Sequence, residues 1–476
     1  MKILDNEKIV FLRFQKNLIM KKILTLLSFT ILLMLHASSQ TSVEGEQSGN
    51  WILANSPYQV IGDIIVPAGE TLTIEAGVEI NFQAHYQFTV QGNLQALGTL
   101  TDSIFFTTDL PETGWGGIRF VDAQGLNKLS YCRLEFGITS GEYPDMHGGA
   151  MALMNSDIEV SNTVFADNDA TADDTGMGGA IYGINTGSPS KFMDCTFIRN
   201  HAYGEGGAVK FTSDLGTEFI GCRFLNNNCL YGGGAISLYS VIGTKMIYCL
   251  FVDNYSTYSG GGAVHTLGTG NTLSFENCTL TGNEAVNGEG GAVILAYANA
   301  IFTNTIVYQN PGSYGDDVFL AFGGDATINY CDMNMPDGAT GSNNISIDPL
   351  FTDADNQDYT LQEASACIDA GTDIGYEFIG TAPDMGCFEY DPNTAINELA
   401  AANIKVYPNP AQDVLNIDSD LGMEKYWITD VSGKIVVQAS DIKNSNVNVS
   451  DLKKGYYLLN IDLGQHQIKT QSFIKL

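Results

Sequence analysis

Short runs of alternating apolar and polar residues fill most of this 476-residue chain. The segments DCTFIRN, GCRFLNN, YCLFVDN, NCTLTGN and NTIVYQN each offer one apolar and one polar face over a few residues, the period of a β-strand. They are too short and too rich in β-formers for paired helices, and they recur. The string GGA plus an apolar residue starts at Gly148, Gly178, Gly206, Gly233, Gly261 and Gly290, with spacings of 30, 28, 27, 28 and 29. A second mark ends in phase at Asn168, Asn200, Asn227, Asn254, Asn283 and Asn310. A fixed period of this length signals stacked units. One repeat therefore makes one coil of about three strands, and coils stacked at the strand spacing of about 4.8 Å make a right-handed parallel β-helix. The span 41–391 is long enough for about 12 such coils.

Stacking places equivalent residues above one another. The six asparagines are expected to form an amide ladder inside a turn, hydrogen-bonded from coil to coil. Cys195, Cys222, Cys249 and Cys278 share another repeat position, with Thr163 and Thr305 in the flanking coils and Cys132 and Cys331 beyond them. Stacked Cβ atoms about 4.8 Å apart are too far for a disulfide, which needs roughly 3.8 Å, so these read as buried thiols. Cys367 and Cys387, off the ladder, are the pair best suited to a bridge.

The texture changes near residue 391. Residues 41–391 hold 8 Lys+Arg against 43 Asp+Glu, a net charge of −35, whereas 392–476 hold 8 against 9. No Lys or Arg occurs from 246 to 404. Such a polyanion repels phosphate backbones, which excludes nucleic acid as a partner. Residues 392–402 read as a linker, and 403–476, with the strands KIVVQ and YYLLNI and the turns DVSGK and KKGY, as a small antiparallel β-sandwich. At the other end, Lys21-Lys22, an uncharged apolar run from Ile23 to Leu35 and the small residues Ala37-Ser38-Ser39 have the order of a secretory signal peptide spanning 1–39, with Met20 the expected functional start. The apolar run is too short to span a bilayer and nothing later approaches that length, so no transmembrane segment is expected in the mature chain.

Two resemblances follow from these motifs. GGAI and GGAV alternating with FADN, FIRN, FLNN and FVDN resemble the repeats of polymorphic outer membrane proteins, within the pectin-lyase-like β-helix superfamily. LTGN and VYQN lack the Phe, and that family's membrane barrel is missing here. GDIIVPAGETLTIEAGVEINF, GNLQALGT and GWGGIRF are similar to first coils of secreted β-helix proteins, and IDPLF, DYTL, CIDAG and DMGCFEY resemble a closing segment. In the tail, VYPNPAQDVLNI, DVSGKIV, KGYYLLNI and the final FIKL resemble the C-terminal sorting domain of the type IX secretion system. That resemblance implies the type IX machinery as a partner of 403–476 and a location outside the cell or on the outer-membrane surface.

Chemistry is less plainly written. The superfamily resemblance raises polysaccharide lyases, which need a base beside a uronate carboxylate. Counting from each GGA puts Ala152, Tyr182, Lys210, Ser237, His265 and Ile294 in one solvent-facing column, with Glu205 and Tyr239 nearby. Tyr182, Lys210 and His265 are the candidate catalytic set. Lys210 and His265 lie two coils apart, about 10 Å, too far for direct proton exchange. For hydrolysis, Asp173-Asp174 and Asp316-Asp317 are present without the GHG and RxK strings that polygalacturonase-like sites need, and MHGGA at Met146–Ala150 is a repeat start. Asp353, Asp355 and Asp358 have oxygen-rich spacing that would suit Ca²⁺, but the loop lacks the Gly and distal Glu of an EF-hand. No other cofactor is implied. Tyr203, Tyr231 and Tyr258 fall in one turn and would make a platform for sugar rings. These features favour a surface-displayed adhesion or glycan-interaction module without catalysis, the alternative being a lyase or glycoside hydrolase acting on an extracellular polysaccharide.

Overall fold

The computed structural model describes residues 40–171, 174–187, 189–313, 317–392, 404–409, 411–419, 425–430, 434–439, 446–462 and 468–475. The expected signal peptide, nearly all of the linker, Asp173 and Asp316 lie outside them. The chain divides into two compact units between Tyr390 and Asp391.

The first unit is a parallel β-solenoid of about 10 turns. Its strands pair coil to coil without exception in the parallel sense within one 30-stranded sheet. Register stacks like on like: Phe165, Phe197, Phe224 and Phe251 face one another with ring centroids 4.8, 4.7 and 4.7 Å apart and nearly parallel rings. The residue before each ladder asparagine bends the chain in the left-handed region, at Asp167, Arg199, Asn226, Asp253, Gly282 and Gln309. That bend aims each asparagine inward. Asn168 Nδ2 donates to Asn200 Oδ1 at 2.9 Å, and the same bond repeats through Asn227, Asn254 and Asn283 to Asn310. Asn310 then donates both its backbone N–H and its Nδ2 to Asp317 Oδ1, at 2.8 and 3.1 Å. Each amide also donates to a carbonyl of the strand below, so the row satisfies polar groups that stacking removes from water.

The glycine pair of the repeat has a steric cause. Gly206 holds φ +71°, and a Cβ on Gly207 would stand 2.1 Å from the Gly234 carbonyl oxygen of the next coil. Only a residue without Cβ lets the turns approach so closely.

All nine cysteines are buried and unbridged. Cys222, Cys249 and Cys278 donate their thiols to the Phe192, Phe219 and Met246 carbonyls at 3.2–3.3 Å. The bridge expected between Cys367 and Cys387 is not formed, because the two sit in different apolar clusters. Cys367 packs with Ile306, Leu361 and Met385, and its thiol meets Asp332 Oδ2 at 3.3 Å. Cys387 packs with Leu225, Leu250, Val252 and Tyr359.

Those clusters also explain why there are about 10 turns rather than about 12. After Ile345, which still bridges Asp332 in parallel, the chain leaves the stack. The antiparallel pair Phe351–Asp353 and Asp358–Leu361 and the loops to Tyr390 run back along the flank, covering outward apolar residues of earlier coils. Asn304 exchanges two 2.8 Å hydrogen bonds with Thr372, and Tyr376 Oη donates to Glu276 at 2.7 Å. This segment is a side cover, not further coils.

The second unit has a three-stranded antiparallel sheet, Ile404–Tyr407, Val414–Ser419 and Asn446–Asn448, and a four-stranded one, Lys425–Asp430, Ile435–Ala439, Gly455–Asp462 and Ile468–Lys475. Leu415, Ile417, Ile428, Val447, Leu459 and Phe473 form its own core.

Candidate functional site

The column that begins near each GGA is where polar chemistry collects. Parallel register places Arg119, Ala152, Tyr182, Lys210, Ser237, His265, Ile294 and Phe319 side by side on successive strands. The column was expected to face solvent, yet Tyr182, Lys210 and His265 are 5%, 5% and 7% exposed. Period-two alternation tells which side of a strand a residue occupies and not whether that side is covered. Here the turns between the ladder asparagine and the glycine pair fold over it. His147, from one such turn, stacks on Tyr182 with ring centroids 4.4 Å apart and accepts the Met177 N–H on Nδ1. Arg119 donates to the Gly148 carbonyl at 2.6 Å, and burial lowers its pKa to about 10 against the raising influence of Asp145.

Lys210 and His265 are joined through one hydroxyl. Ser237 Oγ accepts from Lys210 Nζ at 3.1 Å, donates to Glu205 Oε2 at 2.8 Å and lies 3.4 Å from His265 Nδ1. Lys210 Nζ also pairs directly with Glu205. Burial works against the Glu205 charge, but Lys210 and His265 hold its carboxyl below its ordinary value. Burial lowers the His265 imidazole to about 4, the attraction of Glu205 notwithstanding, so it is neutral at physiological pH. Tyr182 is linked to neither: burial, with Tyr143 beside it, raises its phenol to about 12.

A groove of about 600 Å³ opens beside this cluster, and among its lining residues are Glu205, Tyr231, Tyr258, His265, Glu289 and Phe322. The tyrosine row and the polar column, read separately from sequence, thus meet at one place. Tyr203, Tyr231 and Tyr258 form a continuous row with ring centroids 6.2 and 5.8 Å apart, the rings tilted by 55° and 38°. Tyr231 and Tyr258 are 45% and 59% exposed, so their faces are open to a ligand. Sequence reasoning missed Arg119, His147, Glu289 and Phe322. Arg119 had a signal, since GGIRF matches GGAVKF with one residue deleted. Phe322 follows strand Val318–Ala321, in a coil without the GGA string to count from, and had none.

Asp353, Asp355 and Asp358 lie along one turn without converging on a common point. Asp353 accepts from Asn356 and Asp358 from Thr360, within a solvated hairpin turn. Among the described residues no three His, Cys, Asp or Glu side chains converge as metal ligands. A second groove, of about 730 Å³, lies by Asn310, Asp317 and Asp332. Its carboxylates are already engaged, Asp317 by Asn310 and Asp332 by the Ile347 N–H and the Cys367 thiol.

The second unit supplies the functional assignment that comparison decides. Residues 405–475 match the secretion system C-terminal sorting domain. No curated protein and no solved structure matches the chain. The sorting domain is that of type IX secretion, and it indicates a secreted protein, delivered by that machinery to the cell surface or the extracellular space. Among the described residues no helix is long and apolar enough to cross a membrane.

Proposed function

We propose that the β-solenoid is a carbohydrate-binding module without catalysis, displayed at the cell surface by its sorting domain for adhesion or glycan interaction. The observation that carries this is the row Tyr203, Tyr231 and Tyr258, of which Tyr231 and Tyr258 line a groove together with Glu205 and His265, two polar groups held from behind by the buried Ser237. Sugar rings present apolar faces that stack on tyrosine and hydroxyls that bond to carboxylate and imidazole. Elimination is disfavoured here because a developing enolate needs positive charge. Lys210 is buried against Glu205 and Ser237, and no Lys or Arg lines the groove.

The test is titration of the full chain with a panel of oligosaccharides. Changing Tyr203, Tyr231 and Tyr258 together to Ala should remove stacking worth about 1 kcal/mol each, weakening binding about 100-fold. No unsaturated product should form from pectate, alginate or chondroitin with calcium added. Turnover that vanishes in Lys210→Ala or His265→Ala would replace this reading with a polysaccharide lyase.

A further inference from the structure

The groove has an electrostatic character that narrows its ligand. Glu289 lines it half-buried, and its carboxylate has no hydrogen-bond or ion-pair partner among the described residues. Glu205 contributes a second carboxylate, of which one oxygen, Oε2, receives Lys210 and Ser237. Lys210 offsets the Glu205 charge from behind, but nothing of opposite sign meets Glu289: no Lys or Arg lines the groove, and none occurs anywhere from 246 to 404, the stretch that supplies Tyr258, His265, Glu289 and Phe322. Asp174 adds a further negative charge beside the tyrosine row, where it holds the Tyr203 phenol above its ordinary value.

The far wall is aromatic as well. Phe322 is 73% exposed and stacks on Tyr297, with centroids 5.3 Å apart. Both occupy left-handed backbone, at φ +53° and +56°, where bulky residues are strained. Earlier coils fill the corresponding bend with Asp122, Asn155, Asn185, Ser213 and Ser240, small polar residues suited to it. An exposed aromatic pair at a strained bend recovers little from the fold, which points to a contact outside it.

We propose that this groove selects a glycan whose sugars carry free amino groups, and rejects uronates. The proposal rests on the carbohydrate-binding reading of the same groove. The ammonium of each sugar pairs with the Glu289 and Glu205 carboxylates and lies against the tyrosine faces, which attract cations, while the rings stack between Tyr231, Tyr258 and Phe322. A uronate would bring its own carboxylate against Glu289, with Lys210 already committed to Glu205 and no other cation lining the groove to offset the repulsion.

Calorimetric titration of the full chain with glucosamine oligomers, N-acetylglucosamine oligomers, galacturonate oligomers and lysine oligomers distinguishes the cases. The glucosamine oligomer should bind about tenfold or more tighter than its acetylated counterpart, galacturonate should not bind, and lysine oligomers should bind far more weakly for want of ring stacking. Glu289→Gln should reduce glucosamine binding about tenfold and leave the acetylated oligomer unchanged. Added salt should likewise weaken only the amine-bearing ligand, a check that needs no variant. Galacturonate or lysine binding as tight as glucosamine, or Glu289→Gln and salt affecting both sugars equally, would overturn the selectivity while leaving a glycan site in place. If no sugar binds, or if Tyr231→Ala and Tyr258→Ala change nothing, the carbohydrate reading itself falls.

Discussion

His147 and His265 are imidazoles that burial keeps neutral, each lowered from the usual histidine value to about 4. In the unfolded chain each would take up its proton as pH falls through about 6.5, a proton the folded state accepts only near 4. The unfolded state therefore binds more protons in that window, and stability drops as pH falls from about 6.5 to 4, by up to roughly 3 kcal/mol per histidine. Below about 4 these two groups cause no further loss. Denaturant midpoints between pH 7 and 4 for the wild type and His265→Gln check this: the variant should show a shallower decline, and parallel curves would contradict the buried neutral imidazole. At this scale the sequence was legible in part. Counting from each GGA puts Tyr182, Lys210 and His265 in one column, and that much holds. Their burial was not legible, because it depends on turns arching over the column. Ser237 falls in the same column, but its hydroxyl bridge between Lys210 and His265 was not legible, because a serine in an alternating strand carries no mark of its partners.

The elements of the solenoid were the most legible part of the chain, because each coil must repeat the geometry of its neighbour. The glycine pair, the inward asparagine and the thiol position recur for steric and hydrogen-bonding reasons that every coil shares. Asn227 and Asn310 carry equivalent loads. Each accepts from the preceding rung, and each donates forward, Asn227 to Asn254 and Asn310 to Asp317. Asn227→Ala and Asn310→Ala should each leave buried donors and acceptors unpaired, at a cost of about 1–3 kcal/mol. Comparable falls in thermal midpoint are expected for the two, and a negligible fall in either would show that its rung is not needed. The flank cover from Phe351 to Tyr390 was not legible as such, since it obeys no period and its partners, such as Asn304 and Glu276, lie far away in sequence.

For the whole molecule, export and architecture separate cleanly. The solenoid core and the core of the sorting domain share no residue. Deleting 403–476 should leave the solenoid with an unchanged melting profile but confined to the periplasm. Protease accessibility on intact cells measures this, and normal surface exposure of the truncated protein would refute the sorting role. The tail was readable because its motifs are specific, whereas the ligand was not, because a groove is assembled from turns of unequal length. The amide row has one more property. Every rung takes hydrogens from the coil before and hands hydrogens to the coil after, so the row has a direction, and at Asp317 it reaches a side chain that only receives. A coil inserted among the interior rungs meets a giver on one side and a taker on the other. The amide row, though not the stack, therefore ends at a single carboxylate: strands Asp325–Asn329 and Thr340–Ser342 still pair in parallel beyond it, without a rung of that row.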